Sequence, residues 1–368
     1  MIRIAAALAA SLLLAISSLA ATSPALRAEP ASANDTARFL AGMPPSAGSP
    51  LARLAQDGFW KSHAGAFNAT FGNVDQRQLA KVRKWSSANV TVRRPVLFYL
   101  FSGPDFMYAS AFFPNASTYV LAGLEPVGSI PDLTKMSHGQ VAGLLGNLRG
   151  SLRSVLSISF FLTNSMRHDM RAGTVPSLYV FLARSGKTIR DVTLVNLDDQ
   201  GQVRIGDGLA VKSAARGVKI AFTDSQGREG TLYYFSTNLA NNGFRASGFE
   251  KFLASLGEGM AYVKSASYLM HAGNFSNVRD FLLNNTAVIV QDDTGIPVGY
   301  FDQKQWQLKP YGNYVGPIPL FAGRYQAKLR ELHRVKHAPP IDFGVGYRHG
   351  PNQSSLLLAI KNEAAAKP

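Results

Sequence analysis

Val192-Thr193-Leu194-Val195-Asn196-Leu197-Asp198-Asp199-Gln200-Gly201-Gln202-Val203-Arg204-Ile205 reads as a strand, a turn and a returning strand. β-branched and large apolar residues fill both arms and suit a pleated, half-buried surface. Asp198 can accept from the backbone two residues on, and Gly201 supplies the positive φ that closes a type I turn with a bulge. The same Asp-x-x-Gly form recurs at Asp224 to Gly227, between strand-like residues 218–222 and 232–235, and at Asp292 to Gly295, between 288–290 and 298–301. A fourth pair of strand-like runs, 343–347 and 356–360, brackets a longer loop. Consecutive hairpins predict an α+β fold, with a largely antiparallel sheet and helices packed on it. The strand-helix alternation of a parallel, doubly wound sheet is not evident.

Helices are announced by their caps. Ser137 and Gln140 form a capping box ahead of Val141, Leu144, Leu145, Leu148 and Leu152, which line one helical face. Ser247 and Glu250 repeat the device ahead of Phe249, Phe252, Leu253 and Leu256, and Ser276 can open a helix over 277–283. The strongly apolar run 96–101 is the one strand expected in the helical part. The longest apolar stretch, 154–162, lies between Arg153 and Arg167; it is too short to span a bilayer and reads as a buried helix.

The amino terminus is a leader by composition. Arg3 is followed by an apolar run, and Ser18-Leu19-Ala20 has the small-x-small form read by signal peptidase. The expected organisation is a signal peptide over 1–20, a flexible Ala/Ser/Pro-rich lead-in over 21–50, and one large domain over 51–368. That domain should be helix-rich over 51–173, hairpin-rich over 178–301, and close with a helix and terminal hairpin over 318–361. The expected location is the periplasm or the exterior. The chain has 368 residues and no Cys, so disulfides, thiolate nucleophiles, cysteine-anchored lipid and cysteine zinc sites are excluded.

Net charge is +15, with basic residues spread along the whole chain. In an exported protein this favours an anionic envelope polymer or a protein partner over nucleic acid, and the alternative is a solvated basic surface. Arg77, Lys81 and Lys84 form a basic stripe opposite Leu79 and Val82, with Trp85 one helical turn from Lys81. An aromatic ring among cations suits a sugar or phosphate polymer, and the same spacing also describes any amphipathic helix.

Catalytic signatures are sparse. There is no G-x-S-x-G elbow, no H-E-x-x-H zinc helix and no G-x-G-x-x-G fingerprint, so no cofactor is expected. Ser185-Gly186-Lys187-Thr188 imitates a phosphate loop, but Phe181 stands where its first glycine belongs. Asn196, Asp198, Gln200 and Asp207 have calcium-loop spacing, yet flanking strands make a hairpin turn the better account. His333 and His337 sit at i and i+4 on an expected basic helix over 324–337, with no third ligand evident, so no metal is assigned. The remaining candidates follow buried strands. Asp105 closes Ser102-Gly103-Pro104-Asp105, and Asp292 with Asp293 could share a proton at a turn; His271 could act as their base or orienter. The structural alternative is that Asp105 and Asp292 cap turns.

Residues 98–106, Phe112-Phe113-Pro114, Gly123-Leu124-Glu125-Pro126 and 291–297 resemble an uncharacterised family of secreted bacterial proteins. The resemblance spans most of the chain beyond the leader. It implies bacterial export and supplies no catalytic residue.

Overall fold

The computed structural model describes residues 31–158, 173–206, 215–350 and 352–362; the signal peptide expected over 1–20 lies outside them. Ten strands form one sheet: β1 (Val96–Tyr99), β2 (Thr118–Gly123), β3 (Thr188–Leu197), β4 (Val203–Ile205), β5 (Ala215–Thr223), β6 (Glu229–Ser236), β7 (Gly259–Val263), β8 (Thr286–Gln291), β9 (Trp306–Gly312) and β10 (Ser355–Lys361). Their order is β4-β3-β5-β6-β2-β1-β7-β8-β10-β9. The five central strands, β6, β2, β1, β7 and β8, are parallel, and only the two wings are antiparallel.

The expected largely antiparallel sheet is therefore corrected to a mixed α/β sheet with a parallel centre. Strands covered on both faces carry continuous apolar runs, and β1, β7 and β8 are buried at every position. Alternate residues divide between two cores. Leu97, Tyr99, Leu121, Tyr262 and Val290 face one side, and Phe98, Val120, Ala261 and Ile289 face the other. The first side is covered by α1 (Ala33–Leu40), α2 (Gly58–Val74), α3 (Ala80–Asn89), α4 (Phe106–Phe112), α5 (His138–Ile158) and α6 (Val175–Arg184). The second side is covered by α7 (Asn241–Ala246), α8 (Phe249–Ser255) and α9 (Ser276–Asn285). A further helix, α10 (Ala327–Val335), packs beside β9.

Two of the three Asp-x-x-Gly turns are hairpins. At Asp198 and Asp224 the carboxylate accepts from the amides two and four residues on, and Gly201 and Gly227 have φ of 77° and 75°. Asp198 is thereby saturated as a turn cap, with Arg204 on its second oxygen; Asp207 lies outside the described residues. The third turn is different. Gly295 N–H donates to Asp292 O, yet residues 298–300 form a 3-10 turn and β8 pairs with β7 and β10. Residues 343–347 form no strand; β10 pairs with β9, a segment whose composition does not mark it as a strand.

From Ser32 onward the segment expected to be a flexible lead-in is packed. Ser32 caps α1, Phe39 and Leu40 are fully buried, and Asp35 accepts from both the amide and the hydroxyl of Ser46. The Ser137/Gln140 capping box forms in both directions, at 3.3 and 2.7 Å. Ser247 does not cap by the expected box; Gly248, at φ 72°, precedes α8. The imitation phosphate loop is the end of α6 followed by Gly186 at φ 70°. Among the described residues no helix is long and apolar enough to cross a membrane.

Candidate functional site

Parallel strands deliver their following residues to one end of a sheet, which is where open α/β folds assemble polar groups. Val263 pairs with Gln291, so Lys264 and Asp292 leave β7 and β8 side by side. Asp105 arrives from the loop after β1 and caps α4, accepting from the Tyr108 amide at 3.1 Å. Its other oxygen accepts from the Tyr99 hydroxyl at 3.0 Å and the Lys264 ammonium at 2.8 Å. The Lys264 and Asp105 side chains are each 2% exposed, and Lys264 Nζ lies 4.1 Å from the centre of the Tyr108 ring.

Asp292 is equally enclosed. One oxygen accepts from the Thr294 amide at 2.9 Å and hydroxyl at 2.5 Å; the other accepts from the Ser265 amide at 3.0 Å. Asp293 accepts from the Tyr268 hydroxyl at 2.6 Å. Burial first, and then the charge of Asp293, pushes the Asp292 carboxyl up to about 7. Burial also raises Asp293, against the opposing Tyr268 bond. Tyr99 and Tyr262 are raised by burial and then by the fields of Asp105 and Asp292, which places both carboxylates within one electrostatic neighbourhood. His271 stands beside them without touching a carboxylate. Its Nε2 donates to the Gly295 carbonyl at 2.9 Å, its ring meets Tyr268 edge-on, and burial lowers its pKa.

Sequence reasoning missed Lys264, Ser265 and Tyr268. Ser265 holds φ 66° and ψ −92°, a region costly for a residue with a Cβ, and its hydroxyl finds no hydrogen-bond partner among the described residues. The one available signal was position, since Lys264-Ser265 follows an apolar strand as Ser102 to Asp105 does. Chemically the group is a fastening at rest: every carboxylate is supplied by internal donors. Gly346 closes it from above, with φ 63° and room for no Cβ, which would lie 1.8 Å from Asp292. Gly346→Ala should accordingly cost about 2 kcal/mol or more from left-handed backbone and overpacking together, read as a lowered midpoint in urea unfolding.

A second place is open. Arg77 sits on a π turn (Asp75–Leu79) that runs into α3, where it shares a cavity of about 770 Å³ with Lys81, Gln78 and His349. Gln78 Oε1 accepts from the Gly344 amide, and Lys81 donates to the Asp342 carbonyl at 2.7 Å, so the far wall is pinned to the helix. Lys84 is exposed and outside this cavity's lining. Trp85 does not join the cations. Its ring packs inward on Phe112, Tyr311 and Phe343, at centroid distances of 5.9, 5.1 and 6.2 Å.

A cavity of about 1040 Å³ adjoins the first across Pro340, Ile341 and Asn352, which line both. Arg330, Arg334 and His337 line it, along with Tyr314 and Tyr325. Among the described residues, Glu331 and Asp342 are the only acids in either lining, and each already faces a cation, Arg334 at 2.5 Å and Lys81 at 3.7 Å. His333 turns its two nitrogens to the carbonyls of Leu329 and Tyr311, so it does not act with His337 on a shared ion. Among the described residues no group of three or more His, Asp or Glu is arranged to hold a metal.

Together these features define a mixed α/β protein with a buried carboxylate fastening at its strand ends and an open basic cleft beside it. Compared with known proteins, the chain matches no family model, no curated protein and no solved structure.

Proposed function

We propose that this is an exported protein, periplasmic or secreted, that binds an anionic envelope polymer along its basic cleft. The observation that carries this reading is the pair of adjoining cavities, lined by Arg77, Lys81, Arg330 and Arg334 against two acids: Lys81 and Arg334 pair with Asp342 and Glu331, and among the described residues Arg77 and Arg330 face no acid. Cations in a concave surface concentrate field and raise the local concentration of an opposite charge. A hydrolase or lyase acting through Asp105, His271, Asp292 and Asp293 is the alternative. It gains from the raised Asp292 pKa and the strained Ser265, but the carboxylates are filled from within and line neither cavity.

Inorganic polyphosphate tests the binding reading by titration across a salt series. Arg77→Ala with Lys81→Ala should weaken binding about tenfold and lower the salt slope by about 1 for each cation removed. Lys84→Ala, outside the cavities, should change both by much less. An unchanged salt slope in the double variant would remove the cleft from consideration.

A further inference from the structure

We infer that the larger cavity is a sugar subsite, so that the polymer taken by the cleft is an acidic polysaccharide; this rests on the polyanion reading above. Tyr325 is 46% exposed and lines the cavity wall. Behind it the buried Tyr314 ring lies nearly parallel, with centroids 5.8 Å apart and planes 25° apart. Tyr314 is itself fixed, since its hydroxyl accepts from the Gln326 amide at 2.9 Å. Gly316, at φ 92°, lies beside the ring, where an added Cβ would make ordinary contact with it at 3.4 Å. The exposed tyrosine is thus a supported platform and not a loose surface side chain.

The C–H face of a pyranose has the shape and polarity to cover such a ring, while its hydroxyls need donors and acceptors at the rim. The rim supplies them. Arg330 Nη1 lies 3.5 Å from the Tyr325 hydroxyl, and Asn313 and Asn352 line the same hollow. Arg330 and Arg334 are one helical turn apart on α10, about 6 Å along its axis. Arg77 and Lys81 are likewise four residues apart on the other side of the Pro340-Ile341 ridge. A polymer with acidic groups on successive sugars can place a ring on Tyr325 and its charges at Arg330 and Arg77, the member of each pair that faces no acid among the described residues. A polymer of phosphate alone has no apolar face to offer the platform.

Isothermal titration with three probes separates these chemistries: polygalacturonate carries charge on sugar, polyphosphate carries charge without sugar, and dextran carries sugar without charge. Polygalacturonate should bind tightest and dextran weakest. Tyr325→Ala should weaken polygalacturonate about tenfold and leave polyphosphate within about twofold, while Tyr325→Phe, which keeps the ring, should behave as the parent. Equal losses for both charged polymers, or no loss for either, would overturn the sugar subsite and leave the polyanion reading standing. Dextran binding as tightly as polygalacturonate would overturn the acidic requirement. If neither charged polymer binds with salt-dependent affinity, the polyanion reading falls and the subsite falls with it. Unfolding midpoints of both Tyr325 variants establish that each is folded before its affinity is interpreted.

Discussion

Replacing Lys264 with Met is expected to lower the unfolding free energy by about 3–5 kcal/mol, the usual cost of removing one partner from a buried ion pair. The side chain it leaves behind, Asp105, is 2% exposed and held by the Tyr99 hydroxyl and the Tyr108 amide, neither of which carries a compensating charge. Asp292 and Asp293 follow β8 at the same end of the sheet, and Asp105 and Asp292 both act on Tyr99 and Tyr262, so the deletion leaves this buried acidic group without the Lys264 cation. The loss is not confined to one contact. Asp105 sets the start of α4, and all seven residues of that helix are buried. Adding Asp105→Asn to the Lys264→Met background should recover a large part of the loss, because the stranded charge is then removed with its partner. Urea unfolding of the four proteins of this cycle measures the coupling. Loss below about 1 kcal/mol in the single variant would mean that water reaches the pair and that it behaves as a surface salt bridge.

What could be read in the sequence is what is decided locally. The hairpins at Asp198 and Asp224 are written in four residues each, as is the Ser137/Gln140 capping box. The parallel centre is decided by residues far apart: Val96 pairs with Thr118, Leu97 with Met260 and Thr118 with Thr231. No local pattern records such pairings. A short run buried on both sides has the same apolar texture in a strand or a helix, and α4, buried at every position, has no polar face to give a helical period. Asp292 to Gly295 misled for a related reason. Its glycine is needed for room, since a Cβ there would meet the Gln291 side chain at 2.5 Å, and not for the positive φ that marks a hairpin.

The candidate residues divide in the same way. Asp105 and Asp292 are conspicuous because each ends an apolar run. Lys264 gains its meaning only from the register that sets Val263 beside Gln291. Trp85 is a turn away from Lys81 on any helical wheel, but a wheel does not show Tyr311 and Phe343 packing on its ring from more than two hundred residues away. Tyr325 and Arg330 are visible as parts of a basic helix segment; the cavity between them and Pro340 is not.

Raising the pH from 5 to 8.5 is expected to destabilise the native protein through Asp292, and Asp292→Asn to remove that part of the loss. In the fold its pKa is raised from the ordinary 3.8 to about 7. The favourable contribution of the protonated carboxyl is therefore complete below about 4, declines as the pH climbs through 7, and is absent above it. A rise of that size corresponds to about 4 kcal/mol at most, and the amount belongs to the Asp292-Asp293 pair together. Histidines work in the other direction. Burial lowers His63 to about 4 and lowers His271 and His333 as well, so their neutral forms stabilise the fold above the ordinary 6.5 and lose that effect as pH falls. A wild-type curve alone mixes the two signs. The difference between Asp292→Asn and wild type isolates the carboxylate. Asn offers one acceptor where Thr294 and Ser265 need two, which costs the variant a roughly constant amount at every pH. Between pH 5 and 8.5 the gap should shift by about 2 kcal/mol or more in favour of the variant, measured by urea unfolding at both values. Parallel curves would mean that the ionised carboxylate is compensated within the fold, as it would be if Lys264 served Asp292 as well as Asp105. In that case Lys264→Met would itself introduce the missing pH dependence, and the two experiments together assign the charge balance of the three strand ends.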